Sequence, residues 1–225
     1  MREEVWVPGP HRLEGILEAP DPGAVEGGAV PGGAVVSHAH PLYGGSMTLP
    51  VVHHAAKGCR EAGLATLRFN FRGVGRSEGL FHGTDEARDV MAAAAFLGTR
   101  VGSWPLVLAG YSFGASMSML AAVELKPAAL ILVAFPLVFE TLEPFVFSRI
   151  GEYEGPVLAL CGTEDQIALP GRVEAFLKER GLSAEMTVLD GADHLFGGRQ
   201  ALIERTIGDF LQRALNGKEA AGGEA

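Results

Sequence analysis

The sequence predicts an α/β protein: a doubly wound, mostly parallel sheet with helices on both faces. Three observations predict it. Short, evenly apolar runs alternate with stretches of helical period along most of the 225 residues. Evenly apolar runs are the mark of strands buried on both sides. The composition, 48% hydrophobic and 20% charged, supplies enough apolar material to cover both faces of a sheet in one domain. Finally, the apolar run 106–109 breaks at Gly110-Tyr111-Ser112-Phe113-Gly114 into a small-residue, helix-prone segment. Strand, tight turn and helix in succession is the unit from which such sheets are assembled.

Taken in order, residues 5–7 and 12–18 read as two opening strands, the second with Leu13, Gly15 and Leu17 on one side. Residues 20–33 hold Asp21-Pro22-Gly23, Gly27-Gly28 and Pro31-Gly32-Gly33 and read as a loop. Residues 34–37 form a buried strand that leads into His38-Ala39-His40-Pro41. Over 48–62, Leu49, Val52, Ala55, Ala56 and Cys59 share one face of a helix, and Gly63 stops it. Residues 64–69 are the next strand and run into a polar, glycine-rich loop over 70–79. A helix over 85–101 turns Ala87, Val90, Met91, Ala94, Phe96 and Leu97 inward. Its N-terminal half carries Asp85, Glu86 and Asp89, which suits the positive end of the helix dipole. The helix after Ser112 runs to Leu125, and Lys126-Pro127 ends it. Residues 129–134, 157–161 and 184–189 are the remaining strands, and 171–180 and 199–215 the remaining helices. Residues 135–155 show no strong period. The domain is therefore expected to span 1–215, with 216–225 a disordered tail of Gly, Ala and Glu.

A net charge of −9 with scattered Lys and Arg argues against nucleic acid and anionic membrane as partners. The start, Met1-Arg2-Glu3-Glu4, lacks the pattern of a secretory signal. The longest apolar run, 128–139, is interrupted by Pro136 and is too short to span a bilayer. Cys59 and Cys161 read as reduced thiols, and the expected location is cytoplasmic.

Chemistry concentrates at Ser112. Glycines at 110 and 114 let a sharp turn lift the hydroxyl above the sheet edge and aim the first amide of the new helix at a developing oxyanion. By chance, Gly-x-Ser-x-Gly would occur about 0.17 times in a chain of this composition, so the pentapeptide does not decide alone. A serine nucleophile needs an imidazole in reach, and the imidazole needs a carboxylate to hold its tautomer. His194, after the last strand, and Asp165, after the strand before it, both fall at the same end of the sheet as Ser112. Glu164 is a competing carboxylate, whereas Asp193 adjoins His194 and should point elsewhere. His38 and His40 form a His-x-His pair with no Asp-His continuation and no carboxylate close by, so no metal is expected. Arg72 reads as a brace for its loop.

The order Ser112, Asp165, His194 is that of the nucleophile-elbow architecture, and over roughly residues 10 to 215 the chain resembles the α/β-hydrolase superfamily of serine hydrolases, in particular a small bacterial branch. The resemblance also rests on His38-Ala39-His40-Pro41, similar to a His-Gly-x-Pro loop, and on Asn70-Phe71-Arg72-Gly73-Val74-Gly75-Arg76-Ser77, similar to Asp-x-Arg-Gly-x-Gly-x-Ser. Ala39 stands where Gly is usual and Asn70 where Asp is usual. The resemblance implies an α/β-hydrolase sheet and an oxyanion hole from the backbone amides of Phe113 and His40. The cap of this superfamily falls where this chain has only about twenty residues, so no large cap is expected. A shallow site is then expected, lined by Tyr43, Phe135, Leu137 and Phe139, with Phe145 and Phe147 nearby. The implied activity is cofactor-free hydrolysis of small-molecule carboxylic esters or thioesters with small to medium acyl groups. A peptidase or amidase, or a non-catalytic binding protein of the same fold, is the alternative. A homodimer through an apolar strip near Phe139 to Phe147 is a further expectation.

Overall fold

The computed structural model describes residues 1–21, 23–24, 32–101, 105–137 and 147–219. Its strands are β1 (Arg2–Val7), β2 (Leu13–Glu18), β3 (Gly33–Ser37), β4 (Ala65–Phe69), β5 (Leu106–Tyr111), β6 (Ala129–Val133), β7 (Val157–Gly162) and β8 (Ala184–Leu189). Its helices are α1 (Pro50–Glu61), α2 (Ala87–Val101), α3 (Phe113–Leu125), α4 (Pro170–Glu179) and α5 (Gln200–Glu219). The strands form a single sheet in the order β1-β2-β4-β3-β5-β6-β7-β8. β2 pairs antiparallel with β1 and β4, and every other pairing is parallel. The parallel strands β3 to β7 are buried along their whole length, as evenly apolar runs require.

Helices α1 and α5 pack on each other over one face of the sheet. Helices α2 and α3 pack together against its centre, and α4 lies on β7 and β8. From β3 the chain steps out to β4, then returns past β3 to β5 and continues outward to β8. The winding therefore reverses between β3 and β5. At such a point the two outgoing loops part and leave a crevice beyond the strand ends.

Several details differ from the pattern-based reading. Helix α2 starts at Ala87. Before it, Glu86 is buried and takes hydrogen bonds from the His82 and Gly83 amides at 2.7 and 2.9 Å. Asp89 lies in the first turn, where its charge suits the helix dipole, but it is not a surface group. It is buried and binds Arg72, whose Nη2 lies 2.7 Å from Oδ1. Arg72 also donates to the Asp85 carbonyl, so it braces the 70–79 loop as expected. Helix α5 continues to Glu219, beyond the last apolar position of its periodic face at Leu215. Residues 220–225 lie outside the described residues. Both cysteines are free and buried. Among the described residues no helix is long and apolar enough to cross a membrane.

Candidate active site

The turn between β5 and α3 is as tight as the glycines suggest. Ser112 has φ 53° and ψ −119°, a conformation that L side chains rarely adopt. A Cβ on Gly110 would stand 2.2 Å from the Gly114 carbonyl oxygen, and one on Gly114 would stand 2.5 Å from that of Ser37. Only hydrogen fits at either position, so the elbow excludes every residue but glycine there. The turn is tied to the sheet by the Ser112 amide, which donates to the Val133 carbonyl at 2.8 Å.

Two further loops reach the same place. His194, after β8, sets Nε2 3.0 Å from Ser112 Oγ. Its Nδ1 lies 2.8 Å from Oδ2 of Asp165, which follows β7. Asp165 is fully buried, and its Oδ1 accepts from the Ile167 and Ala168 amides at 2.8 Å each. Burial raises its pKa. The hydrogen bonds from His194 and the two amides outweigh this and hold the carboxyl below its ordinary range. With Asp165 ionised, Nδ1 carries the proton and Nε2 faces the serine as an acceptor. Glu164 is exposed and makes no bond to His194 among the described residues. Asp193 turns away, and its Oδ1 accepts from the Leu195 amide at 3.0 Å.

Tyr111 also belongs to this assembly, and motif reasoning passed over it as a spacer inside Gly-x-Ser-x-Gly. Its ring is nearly buried, and its hydroxyl donates to the His194 carbonyl at 2.9 Å. The signal was available: a large polar aromatic next to the nucleophile, at the end of a wholly apolar strand.

The loop after β3 is held by His38. This buried imidazole contacts the Ala39 carbonyl through Nδ1 at 2.6 Å and accepts from the Phe71 amide through Nε2 at 3.0 Å. Burial lowers its pKa to about 4, so it is neutral at pH 7. Both ring nitrogens are occupied, and among the described residues no cluster of three His, Cys, Asp or Glu could hold a metal. His40 packs on Tyr43, Phe81 and Phe113, with ring centroids 4.8 to 5.1 Å apart. Phe81 sits in a loop without periodicity and gave no sign of this role. The glycine demanded by this loop is Gly45, whose Cβ would collide with the Ala39 carbonyl at 1.9 Å. Asn70, which stands where Asp is usual, accepts from the Met47 amide at 2.8 Å and donates to the Glu14 carboxylate.

Ser112 opens into a cavity of about 720 Å³. It is lined by His40 and Tyr43 from the loop after β3, by Leu49, Pro50 and Val51 at the start of α1, by Phe113 and Pro136, and by Ile167, Leu195 and Gln200. Tyr43 lies on the wall of this space. Phe135 and Leu137 do not. Phe135 is buried against Phe147 and Phe176, because the chain leaving β6 turns its aromatic ring into the core and only Pro136 outward. Leu137 is buried as well, and Phe139 and Phe145 lie outside the described residues. Of the strip expected as a dimer surface only Phe147 is described, and it is 2% exposed.

Residues 33–220 match the family described as an alpha/beta hydrolase domain, and the chain belongs to that family. It is 33% identical to an alpha-beta serine hydrolase homologue from Coxiella burnetii, over 92% of this chain and 96% of that one, with a TM-score of 0.82. A lid-less a/b serine hydrolase from Xanthomonas campestris is 30% identical over 94% of each chain, with a TM-score of 0.83. An uncharacterized protein of Rickettsia prowazekii is 30% identical over 217 residues, 92% of this chain and 88% of that one.

Proposed function

We propose that the protein is a serine hydrolase cleaving carboxylic esters or thioesters of small to medium acyl groups. The observation that carries this reading is one unbroken hydrogen-bond chain. It runs from Ser112 Oγ through His194 to Asp165, with steps of 3.0 and 2.8 Å, and opens at the serine into a largely apolar cavity. His194 Nε2 takes the hydroxyl proton as Oγ attacks the acyl carbonyl carbon. Asp165 stabilises the imidazolium that forms. The backbone N–H groups of Phe113 and His40 hold the oxyanion, aided by the positive end of α3. His194 then protonates the departing alcohol or thiol. A water attacks the acyl-serine, giving its proton to the same nitrogen; the acyl carbon–Oγ bond then breaks, His194 returns the proton to Ser112 Oγ, and the acid leaves.

The test is fluorophosphonate labelling with mapping of the modified peptide, alongside turnover of p-nitrophenyl esters. Label on Ser112 that disappears in His194→Ala is the expected result. Ser112→Ala should lower kcat/KM by at least about 10³-fold. Folded protein that takes no label and turns over no ester would overturn the reading in favour of a binding role.

A further inference from the structure

The charge of the cavity lining bears on which substrates the site takes. Among the described residues that line it there is no Asp, Glu, Lys or Arg. Seventeen of the 18 Lys and Arg of the chain have described side chains, and none of these lines the cavity. Arg199, the cation nearest in sequence to Gln200, lays its guanidinium against Gly191 and is not part of the lining. The polar lining atoms are mostly committed. Tyr111 donates to the His194 carbonyl, His194 is bonded at both nitrogens, and His40 Nδ1 accepts from the Leu42 amide at 3.2 Å. Burial lowers the pKa of His40 and keeps its ring neutral. The rim continues the same chemistry outward: Tyr43, Ile167 and Leu195 line the cavity and are also 88%, 46% and 67% exposed.

An anionic group brought into this space finds no counter-ion among the described residues that line it and loses its water, which is unfavourable unless it is paired. The chain's net charge of −9 opposes its approach from a distance as well. We infer that the site takes uncharged, apolar esters and thioesters, and discriminates against acyl groups ending in a carboxylate and against leaving groups carrying phosphates. This rests on the serine-hydrolase reading above and adds the charge class of both halves of the substrate.

The experiment compares pairs of similar size with the full-length protein. p-Nitrophenyl butyrate is set against p-nitrophenyl hemisuccinate, and octanoyl-pantetheine against octanoyl-4′-phosphopantetheine. Fluorophosphonate labelling of Ser112 is run in parallel. The expected result is label on Ser112 with kcat/KM at least tenfold higher for the neutral member of each pair. Tyr43→Arg, which puts a cation at the exposed rim, should narrow that gap several-fold. Leu195→Arg repeats the test from the other rim. Label with charged and neutral members hydrolysed within threefold of each other would overturn the charge selection and leave the hydrolase reading standing. Absence of both label and turnover would overturn the hydrolase reading, and this inference with it.

Discussion

At the scale of single residues, the site is a set of side chains that hold one another. Asp165 does more than face His194. Two amides grip its other oxygen, so its position does not depend on the imidazole. Asp165→Asn should therefore leave the fold intact. The amide would offer Nδ1 a donor or a weaker acceptor, disturbing the tautomer, and kcat should drop by about 10³ to 10⁴-fold with KM little changed. The Tyr111 hydroxyl reaches the site through the backbone of His194. Tyr111→Phe removes only the hydroxyl that binds the His194 carbonyl. It is expected to cost about 0.5–1.5 kcal/mol of stability. It should also lower kcat several-fold at unchanged KM, which steady-state kinetics beside urea melts would separate. A purely structural role would shift the melts and leave kcat alone.

At the scale of elements, loops at the carboxyl ends of β3, β4, β5, β7 and β8 converge, and each is locked by contacts that are not themselves chemical. The elbow depends on backbone clearance. Gly114→Ala would push a methyl into the Ser37 carbonyl, which belongs to a central strand and cannot yield. A loss of about 1–3 kcal/mol is expected, with weakened fluorophosphonate labelling. The loop after β4 depends on a buried ion pair. Arg72 meets Asp89 through both Nε and Nη2, and both side chains are less than a tenth exposed. Arg72→Ala would leave a buried carboxylate without its partner, at about 3–5 kcal/mol. A double change to Arg72→Met and Asp89→Leu should recover much of that in thermal melts.

For the whole molecule, the pH dependence of stability includes the contributions of two buried groups whose shifts act in the same direction. His38 has a pKa lowered from 6.5 to about 4 by burial. Between those values the unfolded chain binds the proton and the folded chain does not. Its contribution, on the order of 3 kcal/mol, is thus fully present above pH 6.5 and is lost as the pH falls towards 4. Asp165, whose pKa is lowered from 3.8, contributes above that value and loses its contribution as the pH falls through its folded value. Urea melts across pH 4 to 7 should show stability falling on the acid side. His38→Gln can keep both hydrogen bonds without titrating, and should flatten the slope between pH 4 and 6.5. An unchanged slope in that variant would assign the acid sensitivity to other groups.

How much of this was legible beforehand varies with the range of the interaction. The alternation of apolar runs with helical periods located all eight strands and all five helices within a few residues, because burial on both faces leaves its mark in local composition. The elbow was legible for the same reason: its steric demands fall on positions two residues either side of Ser112. Chain order placed Asp165 and His194 at one end of the sheet, since parallel strands send all their outgoing loops there. Which side chains line the cavity was not legible. Phe135 and Pro136 are neighbours, yet one enters the core and the other the cavity, decided by how the chain turns as it leaves β6. Asp89 reads as a charge for the helix end, and only the fold brings Arg72 beside it. Tyr111, His38 and Phe81 likewise take their roles from partners distant in the chain. Local pattern reports how each segment must be buried; the direction of a side chain across a crevice depends on contacts that exist only once the sheet has assembled.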